Sequence, residues 1–216
     1  SQSWVKCIFQ DSHGFLWFGT AEGINKYDGT TFQIYKHDPG NKYSLSNNLV
    51  NVIFEDSRGI LWVGTQSGIN FYNRDKDQFE RYPALHSEYI NDFVELNDGR
   101  IVIAHNSGLY LMDNTEALSG NRNQLDRLIS IFPQRSANDI LLDKEDNLWI
   151  ATFDGLYFIE KNATAIINIK PDIKNSRSYS GNAIHTVYQD LTGRIWLGTF
   201  ESGLLLLKLD PAKRVN

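Results

Sequence analysis

Short runs of alternating hydrophobic and polar residues recur along the whole chain, and turn residues separate them. Within residues 50–54 the hydrophobic side chains recur with a period of two, which predicts a strand with one buried face. Residues 60–65 are apolar almost throughout, so we expect a strand that is buried on both faces. Shorter hydrophobic segments at 69–73 and 79–82 predict two further strands.

Tight turns are predicted between these strands. The sequence Asp-Ser-Arg-Gly occupies residues 56–59, and Gln-Ser-Gly occupies residues 66–68. An aspartate carboxylate can accept hydrogen bonds from turn N–H groups, and glycine adopts the positive φ that many turns need. The four strands are therefore expected to pair antiparallel in chain order.

The same pattern occurs five times, and one position, usually tryptophan, marks it most clearly. That position holds Trp17, Trp62, Val102, Trp149 and Trp196, which stand 40 to 47 residues apart. Six positions earlier the five copies carry Asp11, Asp56, Leu96, Asp143 and Asp190. A Gly-Thr pair follows in copies one, two and five, whereas copy four has Ala-Thr and copy three has Ala-His. Four antiparallel strands in a repeat of about 40–50 residues are typical of a β-propeller blade.

We therefore expect one all-β domain over residues 1–216, a β-propeller of four-stranded antiparallel blades with about five blades present. The blades are expected at about 4–36, 48–83, 89–134, 137–170 and 182–216. The fifth copy ends after its third predicted strand, so we expect an open arc or an imperfectly closed ring from a larger propeller. Unpaired blade edges attract other strands, which makes a homodimer an expected form. Residues 115–127 are expected to form either a short helical turn inserted between strands of copy three or a mobile excursion.

Composition and charge narrow the function classes. The 12 Phe, 10 Tyr and 5 Trp suit packed, pleated faces. The formal net charge is −5, so direct contact with nucleic acid through bulk electrostatics is not expected. No apolar run approaches the ~18 residues that a membrane-spanning helix needs.

No catalytic or cofactor-binding motif is found. No two of the five histidines stand at a metal-ligand spacing, and no phosphate-cradling loop is present. The repeated aspartate and tryptophan resemble the Asp-box of sialidases, but the aspartate-to-glycine spacing is three instead of two. A catalytic acid occurs once, whereas this aspartate occurs four times. We therefore predict a structural role for Asp11, Trp17, Asp56, Trp62, Asp143, Trp149, Asp190 and Trp196.

Candidate ligand contacts follow from the expected arrangement of the blades. In a propeller, the turn between the second and third strands of each blade lies on one rim, beside the central channel. Phe153 and Phe200 occupy this turn in copies four and five, where packing gives little reason for an apolar ring. His105 replaces the threonine of the most degenerate copy. The predicted ligand-binding residues are Glu22, Gln66, His105, Asn106, Phe153, Asp154, Phe200 and Glu201. Ordinary solvated turns are the alternative for each of them.

The string Asp-Ser-x-Gly-x-Leu-Trp-x-Gly-Thr-x-x-Gly-Ile-Asn-x-Tyr occurs at residues 11–27 and again at 56–72. It strongly resembles the two-component regulator propeller repeat. The resemblance implies a seven-bladed propeller in the periplasmic sensor region of a hybrid two-component system, together with a second propeller and an immunoglobulin-like domain. It also implies a parent protein that is a histidine kinase responding to glycan fragments, with an oligosaccharide as the ligand.

Two alternatives from other classes stay open at this point. The propeller could be a protein-interaction scaffold whose channel binds nothing, or a propeller glycosidase or lyase. An acid/base pair formed between two blades is not visible in a sequence, and the fold alone decides none of these functions.

Overall fold

The computed structural model describes residues 4–82, 85–112, 128–133, 135–169 and 183–207. Within these ranges nineteen strands form five antiparallel sheets, which confirms the predicted all-β propeller. Four sheets have four strands and the fifth has three. The helical turn or excursion expected within 115–127 lies outside the described residues.

Each sheet is one blade whose strands follow one another in chain order. Blade 1 contains β1 (Val5–Gln10), β2 (Leu16–Thr20), β3 (Gly23–Tyr27) and β4 (Phe32–Tyr35). Blade 2 contains β5 (Val50–Glu55), β6 (Leu61–Thr65), β7 (Gly68–Asn73) and β8 (Gln78–Arg81). Blade 3 contains β9 (Ile90–Glu95), β10 (Ile101–His105), β11 (Gly108–Met112) and β12 (Leu128–Pro133). Blade 4 contains β13 (Ala137–Leu142), β14 (Leu148–Thr152), β15 (Gly155–Ile159) and β16 (Ile166–Ile169). Blade 5 contains β17 (Ile184–Gln189), β18 (Ile195–Thr199) and β19 (Leu204–Leu206).

The blades stand side by side in sequence order around their first strands. β1 lies beside β5, β5 beside β9, β9 beside β13, and β13 beside β17. One hydrophobic cluster lies at each of these four junctions. The strands β6, β10 and β14 are buried throughout because a neighbouring blade covers each of their faces. This confirms the burial on both faces that was predicted for residues 60–65.

The prediction of single-face burial for residues 50–54 is wrong. Val50 and Ile53 are both buried, although they stand an odd number of residues apart. A bulge between Val50 and Val52 shifts the alternation, and the blades on either side cover both faces of the strand.

An aspartate–tryptophan hydrogen bond explains the most regular spacing of the repeat. In blades 1, 2, 4 and 5 the indole Nε1 donates to the aspartate six residues earlier, at 2.7–3.0 Å. In blade 1 the other oxygen of Asp11 accepts the N–H groups of His13 and Phe15. Partial burial acts to raise the pKa of Asp11, but Trp17, Arg74 and the turn N–H groups outweigh it and leave that pKa below its usual range. The Asp11 carboxylate therefore links its own turn to the indole ring of Trp17, which packs in the junction with blade 2.

In the Gly-Thr pair, the glycine allows close packing between blades and the threonine closes the turn that follows. A Cβ atom on Gly64 would lie 2.6 Å from side-chain carbons of both Val52 and Ile90. Thr65 Oγ1 donates to the carbonyl oxygen of Gly68 and accepts the N–H of Ser67. The glycine thus gives the next blade room to approach, and the threonine fixes the turn on the rim.

Replacing Gly64 with alanine is expected to destabilise the fold by about 1–3 kcal/mol, because the added methyl group overpacks the junction of blades 2 and 3. Gly64 does not have a positive φ, so the loss would come from packing alone. Gly198→Ala in blade 5 is the matched control, since its Cβ would meet only one side-chain carbon at close range, a methyl group of Thr186, instead of carbons from two residues. Urea denaturation measures both variants, and equal losses would contradict the packing argument.

The two end blades each expose an apolar face that inner blades bury. Ile8 of blade 1 is 63% exposed, whereas Ile53, at the equivalent register in blade 2, is 6% exposed. Leu204 of blade 5 is 68% exposed, whereas its counterpart Leu156 in blade 4 is 1% exposed. We call these surfaces the blade 1 outer face (Ile8, Phe18, Phe32 and Ile34) and the blade 5 outer face (Tyr188, Trp196, Leu204 and Leu206). Within the described part of the chain, neither face has a neighbouring blade.

Candidate functional site

The turns between second and third strands share a rim with the segments that enter the blades. The N–H of Gln66 donates to the carbonyl oxygen of Leu49 at 2.9 Å, and the N–H of Asn106 donates to that of Tyr89 at 3.1 Å. We call this edge of the propeller the upper rim. Seven of the eight predicted ligand-binding residues lie in its turns, and His105 is the last residue of β10, just before one of them.

Phe153 and Phe200 meet on the upper rim at the junction of blades 4 and 5. Their ring centroids are 5.2 Å apart, and the two side chains are 56% and 53% exposed. The ring of His185 stacks on Phe200 with a centroid distance of 5.0 Å and an interplanar angle of 28°. Three exposed rings in contact form an aromatic patch on this part of the rim. We call these residues the aromatic cluster.

Local sequence differences place these rings together. In blade 4, Thr152 Oγ1 donates to Gly155 three residues on, whereas in blade 5 Thr199 Oγ1 donates to Gly203 four residues on. The blade 5 turn is therefore one residue longer, and Phe200 is its first residue. His185 occupies the bulge of β17.

An ion pair and a tyrosine lie beside the aromatic cluster. Arg135 pairs with Asp154, the residue after Phe153, and also donates to the hydroxyl of Tyr157 at 2.7 Å. The hydroxyl of Tyr157 donates to Asp154 at 3.0 Å. Burial and the Asp154 carboxylate raise the pKa of Tyr157, so this hydroxyl keeps its proton at neutral pH. About half of each side chain in the ion pair is exposed, so both can reach a ligand.

The bulge of the first strand carries a polar side chain in every blade. The residues at this position are Lys6, Asn51, Asn91, Asn138 and His185. The three asparagines donate to backbone carbonyl oxygens at the start of the next blade, at 2.7–2.9 Å. His185 instead stacks on Phe200. His185 was not among the ligand-binding residues predicted from the sequence. Its departure from asparagine at an aligned position is the signal that could have identified it.

His105 is buried, so the structure does not present it to a ligand on the upper rim. Its ring lies parallel to Tyr110 with a centroid distance of 4.4 Å, and its Nδ1 accepts the N–H of Ser107. That acceptor role is the one that threonine has in other blades. Burial lowers the pKa of His105, while the Glu88 carboxylate 3.4 Å away acts in the opposite direction. We therefore treat His105 as a turn-closing residue.

The other predicted contacts are spread along the arc. Glu22 in blade 1, Gln66 in blade 2 and Asn106 in blade 3 are exposed on separate turns. Glu22 lies 3.7 Å from Lys36. Glu201 is exposed and follows Phe200 directly, so it borders the aromatic cluster. The structure thus brings together Phe153, Asp154, Phe200 and Glu201, and it leaves Glu22 and Gln66 in blades at the other end of the arc.

One pair of carboxyl groups does form between blades. Asp92 of blade 3 and Asp139 of blade 4 are neighbours, and burial together with the Asp139 carboxylate raises the pKa of Asp92 well above its usual range. Asp92 accepts the N–H of Ile140, and Asp139 accepts the N–H of Val187 at 2.8 Å. Each carboxyl therefore joins its blade to the next one, which is a structural use of both groups.

Across the ranges that the structure describes, no group of three or more His, Cys, Asp or Glu side chains is arranged to hold a metal ion. In the same ranges, no helix is long and apolar enough to cross a membrane.

Sequence comparison matches part of the chain to a known repeat. The two-component regulator propeller model matches residues 1–22 and 44–67. A histidine kinase of Formosa agariphila, named histidine kinase P4, is 52% identical over 46 residues, which is 21% of this chain and 3% of the kinase. The fold is thus a β-propeller. The match to the two-component regulator propeller model over these residues confirms the resemblance found in the sequence.

Solved structures share the fold at low sequence identity. The extracellular domain of a protein assigned as a hybrid two-component system of B. thetaiotaomicron superposes with a TM-score of 0.66 at 19% identity, covering 96% of this chain and 38% of that one. A virginiamycin B lyase of Staphylococcus aureus gives a TM-score of 0.63 at 16% identity, covering 95% of this chain and 70% of the lyase. The chain therefore spans less than two fifths of the extracellular domain that it resembles.

Proposed function

We propose that this chain is a non-enzymatic, ligand-sensing part of a hybrid two-component signalling protein, located in the periplasm. The observation that carries the proposal is the aromatic cluster beside the Arg135–Asp154 pair, on a propeller with two-component regulator repeats. The relatives named as a histidine kinase and as an extracellular domain of a two-component system support this setting.

The proposed ligand is an oligosaccharide. The apolar face of a sugar ring can pack on the exposed rings of Phe153 and Phe200, while hydroxyl groups bond to the charged side chains next to them. Arg135 offers N–H donors, and Asp154 and Glu201 offer carboxylate acceptors. Apolar and hydrogen-bonding surfaces thus lie next to each other, as a carbohydrate requires.

Further blades of a longer protein would cover the two outer faces. Each outer face has the composition of a surface that is buried at the four junctions inside the chain. We propose that the intact propeller continues beyond these blades and is joined to a second propeller, an immunoglobulin-like domain and a kinase.

An enzymatic role is the second candidate, because the fold is shared with a lyase and because Asp92 has a raised pKa beside a second carboxyl. We consider it the weaker candidate, since both carboxyl groups accept hydrogen bonds from the adjoining blade. A protein-interaction scaffold is a third candidate, supported by the exposed outer faces.

Calorimetric titration with a panel of oligosaccharides tests the proposal. Phe200→Ala and Phe153→Ala are each expected to weaken binding at least about tenfold, which corresponds to ~1.4 kcal/mol of lost contact with the ligand. Neither change should unfold the chain, because both side chains are largely exposed. Leu191→Ser is the matched control, since Leu191 is an exposed apolar residue on a turn of the opposite rim.

The three candidate functions give different outcomes in this experiment. Saturable binding that both alanine variants weaken supports the sensor proposal. Release of a cleaved product would favour the enzyme, and a stable complex with a protein but with no glycan would favour the scaffold. Binding that is unchanged in both variants would remove the aromatic cluster from the site.

A further inference from the structure

A cavity of about 770 Å³ lies between blades 3 and 4, on the rim opposite the aromatic cluster. The turns between first and second strands form this lower rim. Among the described residues, eight of its sixteen lining residues are apolar, among them Leu96, Val102, Leu111, Ile131, Leu148 and Ile159. The volume falls in the range of about 300–1,000 Å³ that is usual for small-molecule sites.

The cavity lies where blade 3 departs from the repeat. Val102 pairs with Val94 and Leu111, just as Trp17 pairs with Phe9 and Lys26. Val102 therefore holds the position that tryptophan occupies in the other four blades. Leu96 likewise replaces the aspartate that accepts the indole N–H. The degenerate copy has lost both a large ring and its hydrogen-bond acceptor.

The opposite wall is aliphatic at a position where blades 1 and 2 carry a tyrosine. At the junction of blades 1 and 2, the rings of Trp17 and Tyr72 are 4.9 Å apart and fill the space between the sheets. Ile159 of blade 4 takes the register position of Tyr72 in blade 2. Two aromatic side chains are thus replaced by aliphatic ones at a single junction.

Charged side chains surround the mouth of the cavity. Arg100 pairs with Asp98 at 2.7 Å, and Lys161 pairs with Asp146 at 2.6 Å. These groups are at least partly exposed and belong to the turns of the lower rim. The site therefore combines an apolar interior with a polar entrance, which orients a ligand that has one polar end.

We propose that this cavity is a binding site for a small planar aromatic molecule. The ring would take the place that the indole of Trp17 occupies at the junction of blades 1 and 2, and a polar substituent would face Arg100 and Lys161. The aliphatic part of the cavity favours such ligands, because water gains few hydrogen bonds beside aliphatic side chains. We assign an aromatic ligand because the equivalent junctions contain a tryptophan ring at this position. This site is separate from the proposed glycan site on the upper rim.

Titration of the chain with indole tests the assignment. We expect saturable binding, detected by calorimetry and by shifts of Leu, Val and Ile methyl signals that line the cavity. The double variant Leu96→Asp/Val102→Trp rebuilds the repeat and should weaken indole binding at least tenfold while raising the melting temperature. The blade 3 turn already has the backbone hydrogen bonds of the aspartate turn. The N–H of Leu96 donates to the carbonyl oxygen of Arg100, and the N–H of Gly99 donates to that of Leu96, as the equivalent groups do around Asp11.

Val102→Phe is the second variant, in case the double variant does not fold; it fills the cavity without adding a charge. Leu191→Ser is the control and should bind indole as the parent chain does. The absence of saturable binding by the parent chain would overturn the proposal. So would equal affinity in the parent and a filled variant, since indole would then bind elsewhere. Phe153→Ala and Phe200→Ala bear only on the glycan site, so failure of one proposal leaves the other testable.

Discussion

Trp17→Ala is expected to lower the free energy of unfolding by about 3–5 kcal/mol, the usual loss for truncation of a large buried ring. Trp17 is 0% exposed, and its ring contacts those of Tyr35, Tyr72 and Phe79. The substitution also leaves Asp11 without its indole donor in a buried setting. One change therefore opens a cavity and removes a hydrogen bond at the same junction.

Trp196→Ala provides a matched comparison within the same molecule. Trp196 belongs to the same motif and donates to Asp190 at 2.9 Å, yet it lies on the blade 5 outer face and is only half-buried. Its loss is expected to cost only about 1–2 kcal/mol, because less apolar area leaves the protein interior. Urea denaturation followed by circular dichroism measures both. Similar losses would show that the motif stabilises its own blade and not the junction.

Features that every blade shares could be predicted from the sequence, because they recur at a regular spacing along the chain. The six-residue spacing between Asp11 and Trp17 is constant in four copies, and the hydrogen bond between those two side chains is the physical reason. The burial of β6 on both faces follows from its unbroken apolar run. The bulge at Asn51 was missed, since a single extra residue in a strand barely disturbs the pattern of hydrophobic positions.

Features that depend on two blades at once were harder to predict. The stacking of His185 on Phe200 joins the bulge of one strand to the turn of the next hairpin, and sequence distance conceals that contact. The Asp92–Asp139 pair is formed between blades for the same reason. Leu96 and Val102 were visible as departures from the repeat, but the cavity also needs Ile159 on the facing blade. Departures in neighbouring repeats must therefore be considered together.

In solution, the isolated 216-residue chain is expected to form head-to-tail oligomers whose mass rises with protein concentration. The blade 5 outer face contains Trp196, so it corresponds to the side of a junction that contributes the tryptophan. The blade 1 outer face corresponds to the opposite side, against which that tryptophan packs. At the junction of blades 1 and 2, Ile53 packs in one cluster with Trp17 and Ile24. Ile8 of one copy would pack in the same way against Trp196 and Leu204 of a second copy, which continues an interface already present four times in the chain.

Ile8→Lys is expected to shift the chain to monomer, because it places a charge where this junction excludes water. Leu191→Lys makes the same change in charge at a turn residue outside both outer faces, so it should leave association intact. Sedimentation equilibrium over a concentration series distinguishes the variants. This contact joins two different faces, so every oligomer keeps one unpaired outer face at each end. The oligomers should therefore grow beyond a dimer. A parent chain that stays monomeric throughout, or a dimer that Ile8→Lys does not disturb, would show that these faces do not recognise each other.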